Sequence, residues 1–190
     1  MREVDLASGT TSLFPLEQFQ SLVVEQDKIA QTFGPQMRLL LVGAGQLASS
    51  LAELALAMDY EVMVTDPRHD VLNQWAGPEV KLLPGMPDDI ALEYASDPSS
   101  IVITLTHDPR IDDMALMEAL KSDAWYVGAL GSPRTTQQRL QRLRDLDLSA
   151  EDIERLHAPV GLDIGSKTPI EIAVAIMAEI TALRRGRLPL

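Results

Sequence analysis

A glycine-rich turn after an apolar run is the feature of this sequence with the clearest chemistry. The run 38–42 leads into a Gly-x-Gly-x-x-Ala pattern formed by Gly43, Gly45 and Ala48, with Gln46 just inside the turn. In such a turn the first glycine allows a sharp bend, the second lets a pyrophosphate approach the backbone, and the small alanine lets the next helix pack on the strand. The N–H groups and the dipole at the start of that helix would face the phosphates. The pattern therefore predicts a dinucleotide-like binding geometry.

A second apolar run, 61–65, ends on an acid, Asp66, 23 residues after Gly43. An acid at this place can accept hydrogen bonds from the ribose hydroxyls of a dinucleotide. Arg68 follows closely and could instead bind an extra phosphate. NAD and NADP therefore both stay open as ligands at this point.

Thr106, His107 and Asp108 form a second polar loop, which follows the β-branched run 101–106. A histidine here could contact a ligand, or act as acid or base, because its pKa lies near neutrality. One histidine with neighbouring carboxylates does not make a metal site. We expect this loop to contact a ligand, with no metal bound.

A third loop contains Gly128, Gly131, Ser132 and Arg134 after an apolar segment at 125–127. Serine as the N-cap and proline at the helix start are typical of a helix N-terminus that binds anions. The helix dipole disfavours a cation in the first turn, so Arg134 at this position indicates an anionic ligand nearby. The alternative is an ordinary capped helix with an exposed arginine.

The segment 157–165 is a fourth candidate, because it is too glycine-rich for a strand or a helix. It contains Gly161, Asp163 and Gly165, and we expect it to cross the sheet toward the same crevice as the other loops. Asp163 is either a ligand contact or a turn former.

Alternating strands and helices must position these loops. From residue 38 onward the pattern predicts an α/β fold, a Rossmann-like open parallel sheet with helices on both faces. With strand order 3-2-1-4-5, the loops after the first and fourth strands would flank the binding crevice. The predicted strands are 38–42, 61–65, 80–83, 101–106 and 125–127; the predicted helices are 46–58, 111–121, 133–144, 149–157 and one that begins at the capping box of Thr168 and Glu171.

Two parts of different character are expected along the chain. Residues 37–190 form the Rossmann-like binding domain, and residues 1–36 form a short N-terminal arm, either packed on the sheet or left over from a lost domain. The arm contains a short strand at 22–25 and a turn at Gly34-Pro35. The apolar stretch at 10–24 and the apolar last helix favour a homodimer.

Composition excludes several classes of function. A net charge of −12 argues against binding to nucleic acid, which needs a positive field. No apolar run approaches the roughly 18 residues that span a bilayer, and no signal peptide is visible. The chain has no cysteine and therefore neither disulfide nor thiolate nucleophile. These features favour a cytoplasmic protein without a membrane partner.

Taken together, these motifs resemble the C-terminal domain of the xanthine dehydrogenase accessory (XdhC/CoxI-like) family over about residues 36–184. The residues that carry the resemblance are Gly43-Ala44-Gly45, 64–68 (VTDPR), Thr106-His107-Asp108, 126–134 (YVGALGSPR), 157–165 (HAPVGLDIG) and 168–174 (TPIEIAV). The two long C-terminal motifs are much more specific than the glycine turn. Gln46 stands where the family usually has a histidine, and residues 1–35 resemble only the trailing end of the family's N-terminal domain.

The resemblance implies a factor that binds molybdenum cofactor, as molybdopterin or its dinucleotide form, and delivers it as cargo. Its partners would be a molybdenum hydroxylase apoenzyme and a sulfur-donating maturation enzyme. A cofactor-binding chaperone is then favoured over an enzyme. Two alternatives stay open, a small NAD(P)-dependent oxidoreductase and a nucleotide-sensing regulatory module. A substrate domain and a clear hydride-transfer pair are not evident, which argues against the oxidoreductase.

Overall fold

A computed structural model describes residues 1–14, 22–31 and 37–187. The chain separates into two compact units, residues 1–36 and 37–190. The turn expected at Gly34-Pro35 and the central part of the apolar stretch 10–24 lie outside the described residues.

The first unit is a four-stranded antiparallel sheet. Its strands are β1 (Arg2–Asp5), β2 (Thr11–Leu13), β3 (Val23–Val24) and β4 (Lys28–Gln31), in the order β2-β1-β4-β3. The short strand expected at 22–25 is confirmed as β3. The other three strands were not predicted, because each has four residues or fewer and mixes polar with apolar side chains.

The second unit is a six-stranded parallel sheet with helices on both faces, which confirms the predicted fold class. The strands are β5 (Arg38–Val42), β6 (Glu61–Thr65), β7 (Lys81–Leu83), β8 (Ser100–Thr104), β9 (Tyr126–Ala129) and β10 (Leu156–His157). The helices are α1 (Gln46–Ala57), α2 (His69–Asn73), α3 (Pro87–Tyr94), α4 (Pro109–Lys121), α5 (Pro133–Asp145), α6 (Ala150–Glu154) and α7 (Pro169–Arg184). The sheet order β10-β9-β8-β5-β6-β7 contains the expected 3-2-1-4-5 arrangement, extended by β10.

The strands read as continuous apolar runs because helices cover both faces of the sheet. Leu39 and Leu41 belong to one core cluster, which includes residues of α1 and α7. Leu40 and Val42 alternate with them and belong to a second cluster, which includes residues of α3, α4, α5 and α6. All four leucine and valine side chains are fully buried. Because these strands pair in parallel, the loops that follow β5, β6, β8 and β9 all lie at the carboxyl edge of the sheet.

One predicted helix is too long. The helix expected at 149–157 ends at Glu154, and Leu156 and His157 instead form β10, which pairs in parallel with Val127 and Gly128 of β9. His157 therefore belongs to a strand, although the segment from 157 onward was expected to be neither strand nor helix. The reason is long-range, since an open sheet edge at β9 offers backbone partners that the local sequence pattern does not reveal.

The last helix begins as expected. The Thr168 side chain accepts a hydrogen bond from the Glu171 N–H, and the Glu171 carboxylate accepts from the Thr168 N–H in return. This capping box fixes the start of α7. None of the helices within the described ranges is long and apolar enough to cross a membrane.

Candidate functional site

The glycine turn and the Thr106 loop touch each other at the carboxyl edge of the sheet. Gly43 has φ of +113° and donates its N–H to the Thr65 carbonyl at 2.7 Å. A Cβ atom on Gly43 would lie 2.9 Å from Cγ2 of Thr106, closer than such atoms can approach. The loops after β5 and β8 are therefore in van der Waals contact, as the strand order predicts. Gly43 is required at this position by both backbone conformation and space.

Gly45 and Gln46 leave the start of α1 open. Gly45 is the N-cap of α1, and a Cβ atom added to it would meet no other atom within 4 Å. Gln46, the next residue, is exposed. No side chain among the described residues caps this helix, and its first turn has no acid. The first N–H groups of a helix lack internal partners, so here they are free to bind an anion. Ala48 is buried against the sheet in the packing role expected for it.

Asp66 lies at the expected place, but its carboxylate is already occupied. It is fully buried and accepts hydrogen bonds from the Ala44 N–H at 3.1 Å and from the N–H, Nε and guanidinium nitrogen of Arg68 at 2.8–3.1 Å. Burial opposes ionisation, but these hydrogen bonds prevail and lower the pKa of Asp66. In this conformation the carboxylate ties two loops together and does not offer a free acceptor to a ribose.

Arg68 is linked to the glycine turn through the Asp66 carboxylate. Its side chain is 46% exposed, and its hydrogen bonds to Asp66, with a weaker contribution from the charge of Asp108, raise its pKa. Asp108 caps α4 by accepting from the Arg110 N–H, and its hydrogen bonds with Arg110 lower its pKa to about 2. The crevice therefore presents a permanent positive charge beside a partly exposed carboxylate.

A cleft of about 350 Å³ opens between the Thr106 loop and the start of α5. It brings together four residues predicted from sequence. These are Thr106, His107, Gly131 and Ser132, and the other lining residues are Pro109, Asp112, Leu130, Thr135, Gln138, Arg139 and Arg142.

Two buried charges that the sequence analysis missed form part of this cleft. Asp112 accepts from the N–H and hydroxyl of Thr106 at 3.2 and 2.8 Å and from the Arg139 guanidinium at 2.8 Å. Arg139 also donates to the Leu130 carbonyl at 3.0 Å, so the pair holds both lining loops. Burial raises the pKa of Asp112 to about 6 in spite of these partners. The sequence carried no local signal for this pair, because Asp112 and Arg139 lie 27 residues apart.

The start of α5 is capped as expected, although Arg134 in its first turn does not line the cleft. Ser132 and Thr135 form a capping box, with the Ser132 N–H donating to Oγ1 of Thr135 at 2.6 Å. Gly131 leaves room for this contact, since a Cβ atom there would lie 2.7 Å from the same oxygen. Arg134 is exposed, and it lines neither this cleft nor the second cleft, which is described next. Its role toward an anionic ligand stays a prediction.

A second cleft, of about 510 Å³, also borders the loop at Leu130 and Gly131. Gly161 and Asp163 line it, as do Pro133, Pro159, Val160, Leu162, Ser166 and Ile172. The glycine-rich segment thus borders the same loop as the first cleft, in agreement with the expectation that it crosses toward the crevice.

Two other predicted glycines do not line a cleft. Gly128 is needed for packing, since a Cβ atom there would lie 2.7 Å from Cγ2 of Val160. Gly165 is exposed with φ of +72° and faces open space. Within the described residues, no group of three or more His, Asp or Glu side chains is placed to hold a metal ion.

The fold and the crevice define a Rossmann-type domain with a glycine turn and two clefts at the carboxyl edge of its sheet. The family model for the XdhC Rossmann domain matches residues 39–180. This match covers most of the chain, and the chain belongs to that family.

Three curated relatives are similar to this chain. The chain is 34% identical to the uncharacterized protein YqeB of Escherichia coli K12 over 155 residues, and 30% identical to a probable xanthine dehydrogenase subunit of Bacillus subtilis 168 over 156 residues. It is also 30% identical to the molybdenum cofactor insertion chaperone PaoD of E. coli K12 over 152 residues. These matches cover 80–82% of this chain but 28%, 45% and 42% of the relatives, so the chain spans less than half of their length.

A solved structure shares the fold as well. The crystal structure of a xanthine dehydrogenase from Bacillus halodurans superposes with a TM-score of 0.71 at 28% identity. The similarity covers 86% of this chain and 47% of that one.

Proposed function

We propose that this chain is an accessory factor that binds molybdenum cofactor and helps to insert it into a molybdenum hydroxylase apoenzyme. Membership of the XdhC family and similarity to a relative named as a molybdenum cofactor insertion chaperone support the accessory role. The cargo would be molybdopterin or its dinucleotide form. Since the chain spans less than half of these relatives, the role is proposed for this Rossmann domain acting as one part of the delivery process.

The observation that carries the proposal is the open start of α1 beside Arg68. A phosphorylated pterin needs N–H donors and a cation for its phosphate. The uncapped N–H groups at the start of α1 would be the donors, and Arg68, which binds the same carboxylate as the Ala44 N–H, would be the cation. The acidic surface elsewhere would repel the ligand, so affinity must come from these local groups. The occupied carboxylate of Asp66 makes the crevice less suited to the ribose of NAD, which needs a free acceptor.

The two clefts would hold the pterin end of the cofactor. Their volumes fall within the range of small-molecule sites. A pterin carries both donors and acceptors, and the exposed hydroxyl of Ser132 together with the carboxylate of Asp163 offers matching groups at the cleft walls. Thr106 would act through its contacts with the neighbouring loops, because its hydroxyl is bonded to Asp112. His107 is exposed at the first cleft and would contact the ligand without a catalytic task.

Partners belong to the same proposal. A delivery factor must meet the apoenzyme that receives the cofactor, and a sulfur-donating maturation enzyme would act before release. We also expect the chain to form a homodimer, which light scattering at several protein concentrations tests. A mass that stays at that of one chain would remove the dimer from the proposal.

Purification of the protein from cells that make the cofactor tests the function. Molybdenum is measured by mass spectrometry and pterin by fluorescence after oxidation, each relative to protein. The proposal predicts that both copurify with the wild-type chain and decrease in Gly45→Ala, whose added methyl group enters the space kept open for phosphate. Protein free of pterin that binds NAD(P)H tightly would instead support an oxidoreductase.

A further inference from the structure

Glu179 is a buried carboxylate on an otherwise apolar face of α7. Its neighbours on that face, Ala173, Ile176 and Ile180, are fully buried, and Glu179 itself is 6% exposed. Burying a charged group is costly unless hydrogen bonds compensate it. The groups that it binds therefore indicate why it is placed there.

Both carboxylate oxygens of Glu179 bind the glycine-rich segment 157–165. Nδ1 of His157 donates to Oε1 at 2.8 Å, and the N–H of Gly161 donates to Oε2 at 2.5 Å. Burial opposes the negative charge, but these hydrogen bonds outweigh it and lower the pKa of Glu179. The ring of His157 also stacks on Tyr126 at 4.3 Å, which fixes its orientation. Glu179 thus clamps the segment at two points.

Three consecutive N–H groups of the segment are held by two elements, β9 and α7. Val160 donates to the Ala129 carbonyl of β9 at 3.0 Å, and Leu162 donates to the Ala175 carbonyl of α7 at 3.2 Å. Gly161, between them, donates to Glu179. Val160 and Leu162 donate to backbone carbonyls, whereas Gly161 donates to a side chain. The hydrogen bond from Gly161 to Glu179 is therefore the anchor of the segment that a side-chain substitution can remove.

This anchor lies directly behind the wall of the second cleft. Gly161 has φ of +96°, and a Cβ atom on it would lie 3.1 Å from the backbone nitrogen of Ile176. At Gly161 the segment therefore passes close to α7, with no room for a side chain between them. Because Glu179 prevents it from moving away, the positions of Leu162 and Asp163 in the cleft depend on this carboxylate.

We infer that Glu179 is a positioning residue that fixes the shape of the cofactor-binding cleft without touching the ligand. The inference rests on the proposed function, in which this cleft contributes to cofactor binding. Glu179 acts through Gly161 and His157, whose hydrogen bonds to it set the path of the segment.

Three substitutions separate positioning from general stability. Glu179→Ala removes both acceptors. Glu179→Gln keeps an oxygen for the Gly161 N–H, and its amide can donate to Nδ1 of the other His157 tautomer, so it should rescue the clamp. Thr181→Ala is the matched control, since this hydroxyl lies two residues further along α7 and donates to the Met177 carbonyl within the helix at 2.6 Å.

Amide hydrogen exchange of residues 160–165 in the ligand-free protein is measured first, followed by the Kd for molybdopterin. For Glu179→Ala we expect exchange at Gly161 at least about tenfold faster and a Kd about 10- to 100-fold higher. Glu179→Gln and Thr181→Ala should stay within about threefold of wild type in both measurements. If Glu179→Ala does not fold, His157→Ala removes one of the two hydrogen bonds and should show the same changes with about half the logarithmic effect.

The inference is overturned if Glu179→Ala exchanges and binds like wild type, or if Glu179→Gln is as impaired as Glu179→Ala. Failure of the proposed function gives a different result, in which wild-type protein binds no molybdopterin. The exchange rates then still decide whether Glu179 holds the segment.

Discussion

Replacing Gly43 with alanine tests the contact between the glycine turn and the Thr106 loop. The φ of +113° is unfavourable for any residue with a Cβ atom, at a cost of about 1–2 kcal/mol. The new methyl group would also lie 2.9 Å from Cγ2 of Thr106 and 3.3 Å from its backbone nitrogen. Overpacking of this kind adds about 1–3 kcal/mol. Gly43→Ala should therefore lower the free energy of unfolding by about 2–5 kcal/mol.

Urea denaturation followed by circular dichroism gives that free energy. Gly45→Ala is the matched control in the same turn, because its φ is −88° and a Cβ atom there meets open space. Its stability should stay within about 1 kcal/mol of wild type. A second variant, Thr106→Ser, deletes Cγ2 but keeps the hydroxyl that donates to Asp112. Combined with Gly43→Ala, it should recover about 1 kcal/mol or more of the loss.

Two outcomes would exclude backbone strain and close contact at Gly43. Gly43→Ala could unfold at the wild-type urea concentration, which would mean that neither strain nor contact exists. Alternatively, the double variant with Thr106→Ser could be no more stable than the single variant, which would place Thr106 away from Gly43.

Three further predictions concern charged groups. Arg155→Met should lower the free energy of unfolding in urea by about 2–4 kcal/mol, because Arg155 donates to three carbonyl groups at and just after the end of α4. An unchanged midpoint of urea denaturation would contradict this. Since burial raises the pKa of Asp112 from 3.8 to about 6, its contribution to stability is full below pH 4 and declines as pH rises to 6, by at most about 3 kcal/mol. The free energy of unfolding of Asp112→Asn should lack this decline. If the variant and the wild type lose stability equally between pH 4 and 6, the raised pKa of Asp112 is refuted. Arg134→Ala should raise the Kd for molybdopterin about two- to fivefold without changing stability, and an unchanged Kd would make this exposed residue irrelevant to binding.

The elements that position the site could be predicted because their signals are local. Residues 39–42 of β5 are all apolar since both faces of the sheet are covered. The conformation of the Gly43 turn has few alternatives once a strand precedes it and a helix follows it. The capping box at Thr168 likewise depends on residues only three positions apart. Short spacing is what makes these features visible in sequence.

The groups that hold the loops together could not be predicted, because their partners are distant along the chain. Asp112 pairs with Arg139 over 27 residues, and Glu179 binds Gly161 over 18. Nothing in the local pattern of an apolar helix says which loop its single buried carboxylate will meet. The two-residue strand at Leu156 and His157 was missed for a similar reason, since only the neighbouring strand edge defines it.

The motif predicted the position of Asp66 but not its pairing with Arg68. The acid lies where the motif requires, but its hydrogen bonds go to the protein's own chain. Position alone therefore did not reveal whether the carboxylate is free for a ribose. The arrangement instead leaves the helix start and Arg68 as the groups available to a phosphate.

An equilibrium titration of the wild-type protein with molybdopterin and, separately, with NADPH decides whether this domain binds the cargo of a delivery factor. We expect saturable binding of molybdopterin that weakens at least about tenfold in Gly45→Ala, with much weaker binding of NADPH. Tight binding of NADPH together with no binding of molybdopterin would contradict it.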